Sequence, residues 1–140
     1  MGYKSPHMYA LSFGHANGSP ADLTTYYIGG MPALAAGTVI TLFQMRILKS
    51  GRITGFYHIT EDGAAVGSNE AWPVYIRVNN TTDYLVDTQA VASQFRVWQS
   101  TVLSIPVTQG DDIVVKWITP AWVTNPINNR GWGYILIECE

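Results

Sequence analysis

Residues 52–60 read RITGFYHIT, and this stretch decides the class of fold. Side chains alternate between the two faces of a β-strand, so Ile53, Gly55, Tyr57 and Ile59 share one face. The other face carries arginine, threonine and histidine side chains. This period of two predicts a half-buried β-strand, and we expect Ile53 and Tyr57 to point into the core.

The same period continues along the chain in both directions. Residues 73–79 (PVYIRVN) alternate in the same way, whereas residues 112–118 and 132–137 are apolar on both faces. A strand that is apolar on both faces is typical of the centre of a sheet or of a contact with another chain. Turn formers, such as the QGD stretch at 109–111, separate the runs. We predict eight or nine strands, near residues 8–13, 23–28, 38–43, 52–60, 73–79, 83–87, 96–105, 112–118 and 132–138.

Many short strands separated by turns predict an all-β domain made of two packed sheets. About eight strands suit a jelly-roll-like antiparallel β-sandwich. An immunoglobulin-like sandwich is the main alternative, but Cys139 is the single cysteine and the Cys–Trp–Cys signature is missing. We assign residues 23–140 to one sandwich domain. Residues 1–22, which contain Pro6 and Pro20, are assigned to an extended N-terminal arm.

Two residues carry local predictions, and the strand pattern gives a set of core positions. Pro106 cannot donate a hydrogen bond to a neighbouring strand, so its segment should be an edge strand or contain a bulge. Gly55 within a strand predicts a bulge or a close backbone approach. We expect eight side chains to be buried: Ile53, Tyr57, Ile76, Val78, Val115, Trp117, Ile135 and Ile137.

Charged residues make up 13% of the chain, about half of the roughly 25% found in soluble domains. Interface cores are depleted in charge, so this composition predicts a surface that copies of the chain partly cover. The net charge of −2 and the scattered basic residues argue against nucleic-acid binding and against a polybasic membrane anchor. Neither a signal peptide nor an apolar run of about 20 residues is visible, so we expect synthesis in the cytoplasm and no membrane span.

The sequence offers no constellation typical of catalysis or of a cofactor. His7, His15 and His58 do not have metal-ligand spacing, and Cys139 stands at the end of a strand. The adjacent carboxylates at 61–62 and 111–112 fit turn chemistry. We therefore expect no catalytic residue, no metal and no cofactor, and a hydrolase is the weakest alternative.

Aromatic residues are the feature that points to binding. Trp122 lies in a predicted loop with Asn125, and exposed tryptophan beside asparagine is typical of surfaces that stack sugar rings. Trp72 and Asn80 are further candidates for contact with a ligand or partner. Packing in the core or between subunits is the competing interpretation of these aromatic rings.

Five stretches, in this order, resemble the β-rich modules of tailed-bacteriophage virion proteins. They are TYYIGG (25–30), YIRVNNTTD (75–83), QGDDIVVK (109–116), TPAWVTNP (119–126) and GYILIE (133–138). The modules include head decoration proteins and tail-fibre tips with trimeric jelly-roll folds. The resemblance spans roughly residues 24–139 and implies a non-enzymatic structural role in the virion, as a homotrimer.

A short chain with an N-terminal arm fits a capsid decoration, or cementing, protein better than a tail fibre. We expect Tyr3, His7 and Tyr9 to dock the arm on the major capsid protein or on other virion proteins. Two alternatives stay open. One is a tail-fibre or tail-tip module that recognises host surface glycans, and the other is a free carbohydrate-binding module.

Overall fold

The computed structural model describes residues 7–30, 43–63, 66–90 and 92–140. Within these ranges the chain forms strands and no helix, so no helix there is long and apolar enough to cross a membrane. The strands are β1 (Met8–Gly18), β2 (Thr25–Ile28), β3 (Met45–Arg46), β4 (Gly51–Glu61), β5 (Trp72–Val78), β6 (Thr82–Gln89), β7 (Phe95–Ser100), β8 (Ile105–Val107), β9 (Asp112–Ile118) and β10 (Asn129–Cys139).

The strands form two antiparallel five-stranded sheets. Sheet 1 has the order β1-β10-β4-β7, and β8 pairs with β4 beside β7. Sheet 2 has the order β2-β9-β5-β6, and β3 pairs with β9 beside β2. Because β4 to β5, β6 to β7 and β9 to β10 each cross between sheets, the connectivity is that of a jelly roll. The predicted fold class is confirmed.

The described residues form ten strands rather than about eight, because each sheet has one edge that consists of two short strands. The predicted strand at 96–105 divides into β7 and β8, which both pair with β4. Pro106 lies in β8, opposite Arg52, and among the described strands β8 pairs with β4 alone. Proline, which has no amide donor, is tolerated in such an edge segment. The prediction of an edge segment is confirmed, and the predicted strand at 38–43 lies almost entirely outside the described residues.

The N-terminal segment differs from the expected arm. Residues 8–18 form β1, which pairs with β10 from Met8 opposite Glu138 to His15 opposite Gly131. Phe13 and His15 are buried, because alternate side chains of this segment point between the sheets. Residues 8–18 are therefore an integral strand of the sandwich.

The core lies between the two sheets and is rich in tryptophan and isoleucine. Seven of the eight positions predicted to be buried are buried, and Tyr57 is the exception. The largest fully buried side chains are Trp72, Trp98, Trp117, Ile28, Ile47, Ile53, Ile76, Ile113, Ile135, Ile137, His58 and Val74.

A β-bulge in β4 explains why Tyr57 faces outward. Leu136 pairs with Gly55 and Ile137 pairs with Ile53, so Thr54 is an extra residue without a partner in β10. One extra residue reverses the alternation that follows it. The bulge predicted at Gly55 is thus confirmed, and it corrects the expected faces. Beyond the bulge, Phe56, His58 and Thr60 are buried, whereas Tyr57 and Ile59 are half-buried on the outer face.

Candidate interaction surface

Trp122 and Trp72, two of the predicted contact residues, lie together but are buried. Their rings meet edge to face with centroids 5.1 Å apart. Trp72 also packs edge to face on Trp98 and Trp117, at 5.0 and 4.9 Å. Trp122 lies in the 119–128 loop, and its ring is buried against Trp72. Neither ring is free to stack on a ligand, so the core-packing interpretation describes both.

Asn125 and Asn80 lie at opposite ends of the sandwich and hold loops in place. Asn125 Nδ2 donates to the Pro20 carbonyl at 3.2 Å and to Asp22 Oδ1 at 3.1 Å, which ties two neighbouring loops together. Asn80 has a φ of 54° in the turn between β5 and β6, and its Oδ1 accepts from Arg77 Nε at 3.1 Å. Turn geometry accounts for Asn80, since asparagine tolerates positive φ.

The three predicted arm residues have different surroundings. Tyr3 lies outside the described residues. His7 is exposed, and its carbonyl accepts from Cys139 N at 2.7 Å, directly before β1. Tyr9 is half-buried against the core, and its hydroxyl donates to the Lys49 carbonyl at 3.2 Å. Of the two described residues, only His7 presents its side chain freely to a partner.

A different set of aromatic residues is exposed on the outer face of sheet 1. Trp132, Tyr57 and Tyr134 form what we call the aromatic strip. Tyr57 stacks on Tyr134 with centroids 5.5 Å apart, and its ring is 5.7 Å from that of Trp132. Trp132 is 58% exposed and Tyr134 36%. The bulge at Thr54 creates the strip, because it turns Tyr57 to the same face as the two β10 residues.

Apolar side chains on neighbouring strands continue the aromatic strip. Ile59 lies between Trp132 and Val97 in the strand register, so this row crosses β10, β4 and β7. Phe95, at the start of β7, is 54% exposed. Exposed apolar groups that are contiguous on a sheet face are typical of an interaction site.

The outer face of sheet 2 is charged instead. Asp83 accepts from Lys116 Nζ at 2.6 Å and from Arg77 Nη1 at 2.7 Å. Arg46 and Asp112 form a further pair at 3.1 Å on the same sheet. Sheet 2 thus presents ion pairs beside Leu85, which is 56% exposed, whereas sheet 1 presents the aromatic strip. The aromatic strip makes sheet 1 the better candidate for an interaction face.

A pocket of about 390 Å³ opens beside Trp132, at the end of sheet 1 where the 119–128 loop returns to β10. We call it the rim pocket. Arg130 and Glu61 pair across its edge, with Arg130 Nη2 at 3.0 Å and Nε at 3.1 Å from Glu61 Oε2. The lining residues are His15, Ala16, Ile59, Thr60, Glu61, Phe95, Arg130, Gly131 and Trp132.

A chain of buried polar side chains runs behind the rim pocket. His15 Nε2 donates to Asn129 Oδ1 at 2.7 Å, and Asn129 Nδ2 donates to Asp62 Oδ1 at 2.7 Å. Asp62 Oδ2 pairs with Arg96 Nη1 at 2.5 Å, and both side chains are buried. Desolvation lowers the pKa of His15 to about 4, although its bond with Asn129 acts in the opposite direction. His15 is therefore neutral at pH 7, with its proton on Nε2.

His58 lies next to this chain, enclosed by aromatic rings. Its ring is 5.6 Å from Trp117 and 5.4 Å from Trp98, and 6.0 Å from His15. Neither of its nitrogens has a hydrogen-bond partner among the described residues. Complete burial is the main cause that holds the pKa of His58 well below its ordinary value, and the nearby His15 lowers this pKa further.

This arrangement is suited to binding through apolar contact and stacking. In the described ranges, no three histidine, cysteine, aspartate or glutamate side chains lie close enough to hold a metal ion. Sequence reasoning missed Trp132 and Tyr134 as site residues. The signal was the 132–137 run, which is apolar on both faces although one face of its strand is open to solvent.

No family model matches the chain, and no curated protein sequence matches it. Among solved structures, the chain is similar to a chain from the structure of infectious bursal disease virus Gx strain, with 13% identity and a TM-score of 0.38. The match covers 96% of this chain and 32% of that chain.

Proposed function

We propose that this protein is a non-enzymatic structural protein of a virion that assembles with copies of itself through the outer face of sheet 1. The observation that carries the proposal is the exposed aromatic strip of Trp132, Tyr57 and Tyr134. A sheet face with such a strip is suited to burial against another protein.

The physical chemistry of the two sheet faces supports self-association. Interface cores are enriched in tryptophan and tyrosine and depleted in charge, as the aromatic strip is. Each Å² of apolar surface removed from water contributes roughly 25 cal/mol, before the entropic cost of association. The ion pairs of Asp83 with Lys116 and Arg77 make the opposite face a poorer interface, because they would lose hydration there.

We further propose that the assembly is a trimer that decorates the exterior of a capsid. The resemblance of five stretches to phage virion modules supports this role, and the jelly-roll fold is compatible with it. A protein that binds only the assembled shell stabilises that shell by mass action. Three linked contacts strengthen the attachment further, since the second and third form at high effective concentration.

The oligomeric state tests the interface. Native mass spectrometry and sedimentation velocity should show a trimer for the wild-type protein. Tyr134→Glu places a charge in the aromatic strip and should give monomers, whereas the matched change Leu85→Glu on sheet 2, where Leu85 is 56% exposed, should leave the trimer intact. A monomeric wild-type protein at a concentration of several hundred micromolar would overturn the proposed interface.

The position of the protein in a particle tests the role. Cryo-electron microscopy of virions should place it on the outside of the head, and particles that lack it should lose their genome at a lower temperature. Density at the tail tip instead would favour the receptor-binding alternative. Absence from the particle would favour a free carbohydrate-binding module.

A further inference from the structure

Two loops at one end of the sandwich present aliphatic side chains to solvent. Leu23, which precedes β2, is 76% exposed, and Val123, which follows β9, is 83% exposed. We call these two residues the loop tip. Both flank strands of sheet 2, so the loop tip is separate from the aromatic strip on sheet 1 that the proposed self-association buries.

Hydrogen bonds bring the two loops together. Leu23 N donates to the Pro120 carbonyl at 3.2 Å, and Asn125 Nδ2 donates to Asp22 Oδ1 at 3.1 Å. Val123 lies between Pro120 and Asn125 in the chain, so the two exposed side chains belong to one rim of the sandwich. Neighbouring exposed apolar side chains are typical of an interaction site.

The Val123 loop is held in a fixed conformation. Val123 N donates to Glu70 Oε1 at 2.6 Å, and the ring of the preceding residue, Trp122, is buried edge to face against Trp72. A surface that is ordered before binding loses less conformational entropy when a partner covers it. The loop tip therefore has the rigidity expected of a preformed contact.

The backbone at Leu23 points to a role outside folding. Its φ is 47°, and the other described non-glycine residues with positive φ are all asparagine: Asn69, Asn79, Asn80 and Asn128. Asparagine tolerates the left-handed region, whereas the Cβ of other residues crowds the following carbonyl there. Leucine at this position strains the backbone and also exposes an apolar side chain. Residues held in such conformations cluster at functional sites.

The charges around the loop tip indicate what kind of partner fits it. Asp22 and Glu70 lie at this rim, and neither forms an ion pair with a described basic side chain. Two apolar side chains beside two carboxylates are complementary to an apolar groove bordered by lysine or arginine. An anionic membrane surface would repel the two carboxylates, and the tip of a second copy carries the same negative charges.

We propose that the loop tip attaches the protein to the capsid shell, with Leu23 and Val123 bound in an apolar groove of a shell protein that basic side chains border. This inference rests on the proposed function, because it takes the shell as the partner. It adds the surface of attachment, which differs from the surface of self-association.

Attachment is tested with shells that lack the protein, to which purified wild-type protein or a variant is added. Co-sedimentation with the shells measures the affinity. Leu23→Asn and Val123→Asn should each weaken attachment by about tenfold or more, as expected for loss of a buried aliphatic side chain. Both variants should keep the wild-type oligomeric state in native mass spectrometry. Leu23→Asn should be at least as resistant to urea as the wild type, because asparagine tolerates its φ.

Two further variants separate the loop tip from general surface effects. Leu48→Asn makes the same change in the turn between β3 and β4, at the opposite end of the sandwich, where Leu48 is 63% exposed. It should leave attachment unchanged. Asp22→Asn keeps an oxygen that can accept from Asn125 and removes the charge, so it should weaken attachment about threefold at low salt and reduce its salt dependence.

The outcomes distinguish this inference from the proposed function. If the wild-type protein does not attach to the shells, the decoration role is wrong and the inference is lost with it. If the wild-type protein attaches and Leu23→Asn and Val123→Asn attach equally well, the decoration role stands and the loop tip is not the contact. Loss of the oligomer in the two loop-tip variants, or an equal defect in Leu48→Asn, would also overturn the inference. Binding to phosphatidylcholine vesicles that Leu23→Asn abolishes, without attachment to shells, would assign the loop tip to a membrane instead.

Discussion

Gly55 and Leu136 lie directly opposite each other across β4 and β10, and the next paired residues are Ile53 and Ile137. Thr54 between them has no partner. Because Thr54 is left out of the pairing, the side chains of Phe56, His58 and Thr60 enter the core and that of Tyr57 joins the aromatic strip.

Deletion of Thr54 should leave the protein folded. Without the extra residue, Ile53 and Gly55 become neighbours opposite Ile137 and Leu136, so the pairs of β4 with β10 are kept and Phe56 still points into the core. Deletion of Tyr57 is the contrast, because Phe56 and His58 can then no longer both point inward, and loss of a buried aromatic ring costs about 3–5 kcal/mol. Urea unfolding and amide NMR dispersion measure both variants. An unfolded Thr54 deletion variant beside a native-like Tyr57 deletion variant would contradict the bulge.

The protein should lose stability as the pH falls below 7. His15 has a pKa of 6.5 when unfolded and about 4 when folded, and the pKa of His58 is lowered in the same direction. Between these values the unfolded chain binds more protons, so the free energy of unfolding decreases with decreasing pH. At 1.36 kcal/mol per pKa unit, His15 alone contributes a loss of about 3 kcal/mol by pH 4.

Urea unfolding at pH 7 and pH 5 measures this dependence above the range in which most carboxylates titrate. His58→Phe keeps an aromatic ring at the site and removes one titrating group, so its loss of stability over the same interval should be smaller. Equal stability of the wild-type protein at both pH values would show that the two histidines are not buried in their neutral form.

Arg96→Met should destabilise the protein by about 3–5 kcal/mol, because it leaves the buried Asp62 carboxylate without its counter-charge. The matched control is Arg130→Met, which breaks a pair whose arginine side chain is 59% exposed. That change should cost less than about 1 kcal/mol. Chemical denaturation measures the free energy of unfolding of both variants. Similar losses of stability would contradict the difference in burial between the Asp62–Arg96 and Glu61–Arg130 pairs.

Gly133→Ala should destabilise the pairing of β10 with β4. An added Cβ would lie 2.0 Å from the Tyr57 carbonyl oxygen and 2.7 Å from Phe13 Cζ, so backbone must move. Overpacking of this kind costs about 1–3 kcal/mol and occasionally more. Gly18→Ala is the control, because its nearest contact is 3.4 Å from the Asn129 carbonyl oxygen. The thermal unfolding midpoint of Gly133→Ala should lie well below that of Gly18→Ala, and the reverse order would contradict the pairing register of β10 with β4.

The sequence by itself determined the all-β sandwich, most of its strands, the bulge at Gly55 and the edge position of Pro106. These features depend on local periodicity and on the conformational limits of single residues, which do not depend on contacts between residues far apart in the chain. Seven core positions could be predicted for the same reason, because no extra residue interrupts the alternation of their strands ahead of them.

Only the tertiary structure decided which aromatic residues meet solvent. Trp122 is buried because its loop packs the ring onto Trp72 in the core, and Trp132 is exposed because none of the described strands covers the outer face of sheet 1. The buried chain from His15 through Asn129 and Asp62 to Arg96 joins four separate strands or loops. Such contacts depend on how the sheets pair and pack, and residues far apart in the chain carry no local signal of them.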